Sequence, residues 1–171
     1  RSASRVMMET GCNAVKIESG SYAAETISYL VERGIPVMSH VGLRPQSMNV
    51  LGGFRARGRR KVVEDEIIAN AIAAANAGSF AVVVEGTSAE IAEKVTKSVK
   101  IPTIGIGASE KCDGQILVTP DMLGQFDRVP KFVKKFADMK GLVEGAVKDY
   151  AEQVGNRTFP AEENTYKFKH K

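Results

Sequence analysis

An α/β protein made of parallel βα units is what this sequence predicts, on three observations. Helical patterns alternate with short apolar runs along most of the chain, a cadence that belongs to strands joined by crossover helices. The runs AVKIESG, IPVMSH, FAVVVE and PTIGIG are apolar along most of their length, as strands covered on both faces are. Reactive side chains then gather where the runs end, at Glu18, His40 and Glu85. Active sites of parallel α/β barrels lie at the carboxyl ends of the strands, so a (β/α) barrel fits better than an open doubly wound sheet. Five strands, however, do not close a barrel of eight.

The elements follow in order. Residues 1–10 read as the end of a helix, with Val6 and Met7 apolar and Gly11 placed to stop it. The strand AVKIESG puts Val15 and Ile17 on one face, Lys16 and Glu18 on the other, because strand side chains alternate. A helix is expected over 22–33, with Ala24, Ile27, Leu30 and Val31 as its stripe and Gly34 at its end. IPVMSH is the second strand, 35–40, and residues 41–61 form a long loop, a length usually reserved for function. Helix 64–77 turns Ile68, Ala71, Ile72 and Ala75 inward, and strand 80–85 ends on Glu85. Thr87 and Glu90 have capping-box spacing before a helix carrying Ile91, Val95 and Val99. Strands follow at 102–107 and 115–119. Two more helices are expected, one opening at Pro130 with Phe132, Val133 and Phe136, the other over 142–154 with Val143, Val147, Tyr150 and Val154. Residues 156–171 read as an irregular tail.

The chain of 171 residues fits one domain, and its 43% hydrophobic and 26% charged residues are ordinary for a globular protein. No run approaches membrane-span length and nothing resembles a secretory leader. Cys12 and Cys112 match no zinc or redox spacing, so a reduced, cytoplasmic setting is the default. The chain opens on Arg1 without an initiator Met, which leads us to expect sequence upstream. The net charge is +4, concentrated in Arg55, Arg57, Arg59, Arg60 and Lys61 and in Lys167, Lys169 and Lys171. These patches lack interleaved aromatics and any DNA-reading motif, which argues against nucleic acid and for solvent or a small anion.

Lys16 and Glu18 place an anion-binding cation beside a candidate magnesium ligand, although a single carboxylate is a weak metal signal. A surface ion pair on an edge strand would look the same. Glu85 follows three valines, and a carboxylate at such an apolar edge suits a general base; a helix-capping glutamate is the bland alternative. His40 ends an apolar strand and, by itself, fits a hydrogen-bonded core histidine as well as a site residue. His170 is far off in the tail, so a histidine metal site is unsupported. GIGAS lacks the third glycine of a dinucleotide fingerprint, since position 110 is Glu. A glycine turn there still permits close approach of a phosphate or other ligand.

Taken together, VKIESG, PVMSHVGLRPQSMNVLGG followed by Gly58–Arg59, VVVEG, IPTIGIGAS, CDGQILV, PKFVKKFADM and FPAEENTY resemble the ketopantoate hydroxymethyltransferase family over nearly the whole chain. The resemblance implies a TIM-type (β/α)8 barrel of the phosphoenolpyruvate/pyruvate-binding group in a large homo-oligomer. This chain would hold the portion from strand four onward, with 1–155 in the barrel domain and 156–171 as its tail. It implies transfer of a one-carbon unit from 5,10-methylenetetrahydrofolate to 3-methyl-2-oxobutanoate, with Mg2+ required. On that pattern Lys16 and His40 contact the oxo acid, Glu85 is the base, and Glu18 serves magnesium through water. Two aspartates that bind the ion directly and a serine that holds the substrate carboxylate are expected upstream. A chelated ion would acidify the C–H by stabilising an enolate, Glu85 would take the proton, and the enolate carbon would attack the folate methylene. The Arg-rich 55–61 stretch is either an exposed loop or a contact for the folate's glutamate tail. Arg44 stands for a usual threonine, and Ser109–Glu110–Lys111 for a Gly/Pro-rich turn.

Two classes stay open: an enzyme whose other part lies upstream or in another chain, and a fragment serving as a structural module. Unpaired strand edges favour the first. A carbon–carbon lyase acting on another 2-oxo acid is a third, because the same residues serve any enolate chemistry.

Overall fold

The computed structural model describes residues 1–43 and 61–167. The expected 41–61 loop therefore falls largely outside the described residues, with Arg44 and the arginines of 55–60, as do Lys169, His170 and Lys171. The chain divides into two compact units, residues 1–116 and residues 117–171.

In the first unit the order is α1 (Ser2–Thr10), β1 (Val15–Glu18), a 3-10 turn (Ser21–Ala23), α2 (Ala24–Val31), β2 (Val37–Gly42), α3 (Lys61–Asn76), β3 (Ala81–Glu85), α4 (Ala89–Ser98), β4 (Thr103–Ile106) and β5 (Gly114–Gln115). The five strands form one sheet in sequence order, and every pairing is parallel, as the alternating pattern predicts. Among the described residues β1 has one strand neighbour, β2.

Alternation sorts the sheet residues onto two faces. Val15, Ile17, Val37, Val41, Val82 and Val84 lie on the face that meets the helices, in two apolar clusters. One cluster adds Ile67, Ala71, Ile91, Ala92 and Val95; the other adds Ala23, Ile27, Leu30 and Ala74. The opposite face follows from the register: Glu18 pairs with His40, His40 with Val83, and Gly42 with Glu85. Lys16, two residues before Glu18, shares that face and pairs with Met38. The helices thus cover one side of the sheet, and Lys16, Glu18, His40 and Glu85 stand on the other.

Local details differ from the sequence expectation. Helix α3 buries Ile67, Asn70, Ala71 and Ala74, one position round from the predicted stripe of Ile68, Ala71, Ile72 and Ala75. The apolar residues there are dense enough to support either rotation, and packing beneath β2 and β3 selects one. Ser88, not Thr87, caps α4, accepting from the Ile91 N–H at 3.3 Å. Thr87 is instead buried after the left-handed turn at Gly86. Strand β5 is shorter than 115–119. Its ladder ends where the Ile116 N–H donates to the Gly105 carbonyl, and Pro120, which lacks an N–H, opens a helix.

The second unit contains α5 (Thr119–Met122), α6 (Met139–Gly155) and a 3-10 turn (Glu162–Asn164). No helix forms at Pro130. The Phe136 N–H donates to the Met122 carbonyl, and Lys135 Nζ to the Phe126 carbonyl at 2.6 Å. These bonds replace helical ones, and Phe132 and Phe136 stay exposed, so no buried face repays the cost of nucleating so short a helix. The predicted helix over 142–154 is present within α6, but its stripe of Val143, Val147, Tyr150 and Val154 is exposed. No helix among the described residues is long and apolar enough to cross a membrane.

Candidate active site

The sheet brings Glu18, His40 and Glu85 together toward the carboxyl ends of three adjacent parallel strands, although β2 runs two residues past His40 to Gly42 instead of ending on it as the sequence predicts. Glu18 is the last residue of β1 and lies in register with His40. Glu85 is the last residue of β3 and lies in register with Gly42. The side chains of His40 and Glu85 meet, with Nε2 3.1 Å from Oε2. The imidazole is 2% exposed and the carboxylate 16%. The contact has ion-pair distance without the alignment of a hydrogen bond, since Nε2 is buried and makes none. His40 is thus a buried residue on the site face, held against a carboxylate.

Gly42 makes room for this meeting. Its φ is +92°, and a Cβ there would lie 2.3 Å from the Glu85 carbonyl oxygen and 2.9 Å from Thr87 Cγ2. The next residue closes the strand ends together, the Leu43 N–H donating to the Glu85 carbonyl at 2.7 Å. On the other side of β2, the Ser19 N–H donates to the His40 carbonyl at 2.8 Å. Backbone bonds therefore fix the chain at both ends of the row before any side chain is considered.

Lys16 is separate from the His40–Glu85 contact. It is exposed and borders a groove of about 570 Å³ along β1, with Arg1, Val6, Ile17, Thr26 and Leu30. The side chains needed to hold a metal are not assembled: among the described residues, no three His, Cys, Asp or Glu are grouped for an ion. Glu18 offers one carboxylate, and magnesium asks for six oxygens in near-ideal geometry. The described residues do not by themselves fit a magnesium site, so no step below runs through the ion.

Sequence reasoning missed three contributors. Gly42 fell at the start of the expected 41–61 loop, whereas it is the last residue of β2; its only signal was a glycine two residues past His40. Thr87 carries a buried hydroxyl with no hydrogen bond among the described residues, next to Gly42. Asp113 pins β5 to β4. Its Oδ2 accepts from the Thr103 N–H at 2.8 Å and hydroxyl at 2.9 Å, and these bonds hold its carboxyl below the usual range. The Asp-Gly pair of CDGQ was the available signal for that turn.

Comparisons with known proteins bear on this geometry. A family model described as ketopantoate hydroxymethyltransferase matches residues 1–162. A 3-methyl-2-oxobutanoate hydroxymethyltransferase of Hyphomonas neptunium is 57% identical over 162 residues, 95% of this chain and 59% of the relative. Proteins of the same name from Sphingopyxis alaskensis and Novosphingobium aromaticivorans are 54% and 56% identical, each across 96% of this chain and 57% of the relative. The chain thus spans under two thirds of the length of the curated relatives it matches.

Proposed function

The chain belongs to the ketopantoate hydroxymethyltransferase family, and from that premise we propose that it takes part in hydroxymethyl transfer from 5,10-methylenetetrahydrofolate to 3-methyl-2-oxobutanoate, giving 2-dehydropantoate. The observation that carries the reading is the row of Glu18, His40 and Glu85 at the carboxyl ends of adjacent parallel strands. That is the part of such a sheet where reacting groups gather.

The chemistry follows from the residues. Glu85 accepts the proton from C3 of the oxo acid, leaving an enolate whose electrons rest on the keto oxygen. Lys16 supplies positive charge for the substrate carboxylate, and His40 stands on the same face of the sheet, beside Glu85. The enolate carbon then forms a bond to the folate methylene carbon, whose two C–N bonds break as water supplies the hydroxyl; the proton held by Glu85 and the second proton of water end on the two nitrogens of the departing tetrahydrofolate. Partial burial of Glu85 supports its role as base, because a proton acceptor shielded from water is harder to quench by solvent.

The proposal extends to the fold and the ion. The parallel sheet is read as the later portion of a TIM-type (β/α)8 barrel, with 1–155 in that domain and 156–171 as the tail. Magnesium belongs to the proposal only as an ion that Glu18 would serve through water; the described residues do not complete its ligand set. Assembly as a homo-oligomer is part of the same reading, supported by the exposed apolar stripe of α6, and a cytoplasmic setting is proposed with it.

The test is product formation. Purified protein is given 3-methyl-2-oxobutanoate, magnesium and 5,10-methylenetetrahydrofolate, and 2-dehydropantoate is followed by mass spectrometry with an EDTA control. Product that depends on magnesium supports the reading, and its absence from a folded native assembly overturns it.

A further inference from the structure

The contact between His40 and Glu85 carries more than membership of one pocket. A histidine that served the substrate alone would face open space. His40 is almost wholly buried, and its Nε2 is 3.1 Å from one oxygen of the carboxylate, Oε2. Both residues are anchored by backbone: Ser19 donates to the His40 carbonyl, and Leu43 to the Glu85 carbonyl. Gly42, which pairs with Glu85 in the register, lets the backbones of β2 and β3 approach closely because it carries no Cβ. A glutamate side chain has three rotatable bonds, so a base on it needs something to select one orientation.

We propose that His40 is the positioning residue of the Glu85 carboxylate, holding Oε2 so that Oε1 is presented to the C–H to be broken. The role rests on the enolising reading of Glu85 given above. It differs from a substrate-binding role in what it does to kinetics. A residue that binds ground state and transition state alike raises KM when lost, whereas one that orients the base lowers kcat. The imidazole acts through Glu85, so its effect disappears when the carboxylate is gone.

The experiment compares the unaltered protein, His40→Leu, His40→Gln, Glu85→Gln and the His40→Leu/Glu85→Gln double variant, each as the native assembly. The readout is solvent exchange at C3 of 3-methyl-2-oxobutanoate. His40→Leu is expected to lower the maximal exchange rate roughly 10- to 100-fold with KM changed less than about threefold. His40→Gln, which keeps an N–H within reach of the carboxylate, recovers part of the loss. The double variant is no slower than Glu85→Gln alone. A second readout is independent of catalysis: the ring-nitrogen NMR resonance of His40 at fixed pH moves in Glu85→Gln if the contact exists.

A rise in KM with unchanged maximal rate overturns positioning in favour of substrate contact. An unmoved His40 resonance overturns the contact itself. Absence of exchange in the unaltered protein overturns the enolising reading, and positioning with it. Exchange in that protein at a rate His40→Leu leaves untouched overturns positioning alone.

Discussion

Gly42 lies so close to Glu85 that no other residue fits between them: a Cβ at position 42 would come within 2.3 Å of the Glu85 carbonyl oxygen. The backbone there is also left-handed, with φ at +92°. This single relationship seats β2 against β3 at the end of the sheet where the candidate base stands.

Gly42→Ala is therefore expected to destabilise the fold by about 2–4 kcal/mol, from strain and backbone displacement together. Gly34→Ala is the control, since its φ is +74° but nothing lies within 4 Å of the added atom. That change should cost only about 1–2 kcal/mol. Urea unfolding of the two variants checks the difference, and equal losses would contradict the close approach.

The rotation of α3 makes a second distinction. Ile67 is 3% exposed and sits inside the apolar cluster, whereas Ile68 only packs against it. Ile67→Ala should cost about 2–5 kcal/mol, and Ile68→Ala about half of that. Unfolding midpoints that rank the two the other way would restore the helix face read from the sequence.

Asp113 links stability to acid. Hydrogen bonds from the Thr103 N–H and hydroxyl lower its pKa in the folded protein. A lowered folded pKa contributes stability that is fully present above the unfolded value, about 3.9, and is lost as pH falls through the folded value. Asp113→Asn should lower the urea midpoint at neutral pH and flatten its fall below about pH 4. Identical pH dependence in variant and unaltered protein would remove the carboxylate from the account.

These cases mark how far the sequence carried. The parallel pairing of the strands was legible because crossover helices separate short runs, such as VVV and TIGI, that are apolar on both faces. The residues Glu18, His40 and Glu85 were legible because each closes an apolar run. The contact of His40 with Glu85 was not, since register between strands is set by pairing that no single strand encodes. Ile68 was chosen over Ile67 because α3 carries apolar residues on neighbouring faces. The Pro130 segment looked helical by spacing, yet the Phe136 N–H and Lys135 Nζ found carbonyl partners elsewhere.

The most direct measurement is proton–deuterium exchange at C3 of 3-methyl-2-oxobutanoate, followed by NMR with the purified native assembly and no folate. The account predicts exchange that Glu85→Gln slows about 10²- to 10⁴-fold, the range a positioned general base supplies. Exchange at an undiminished rate in a folded Glu85→Gln variant would contradict it.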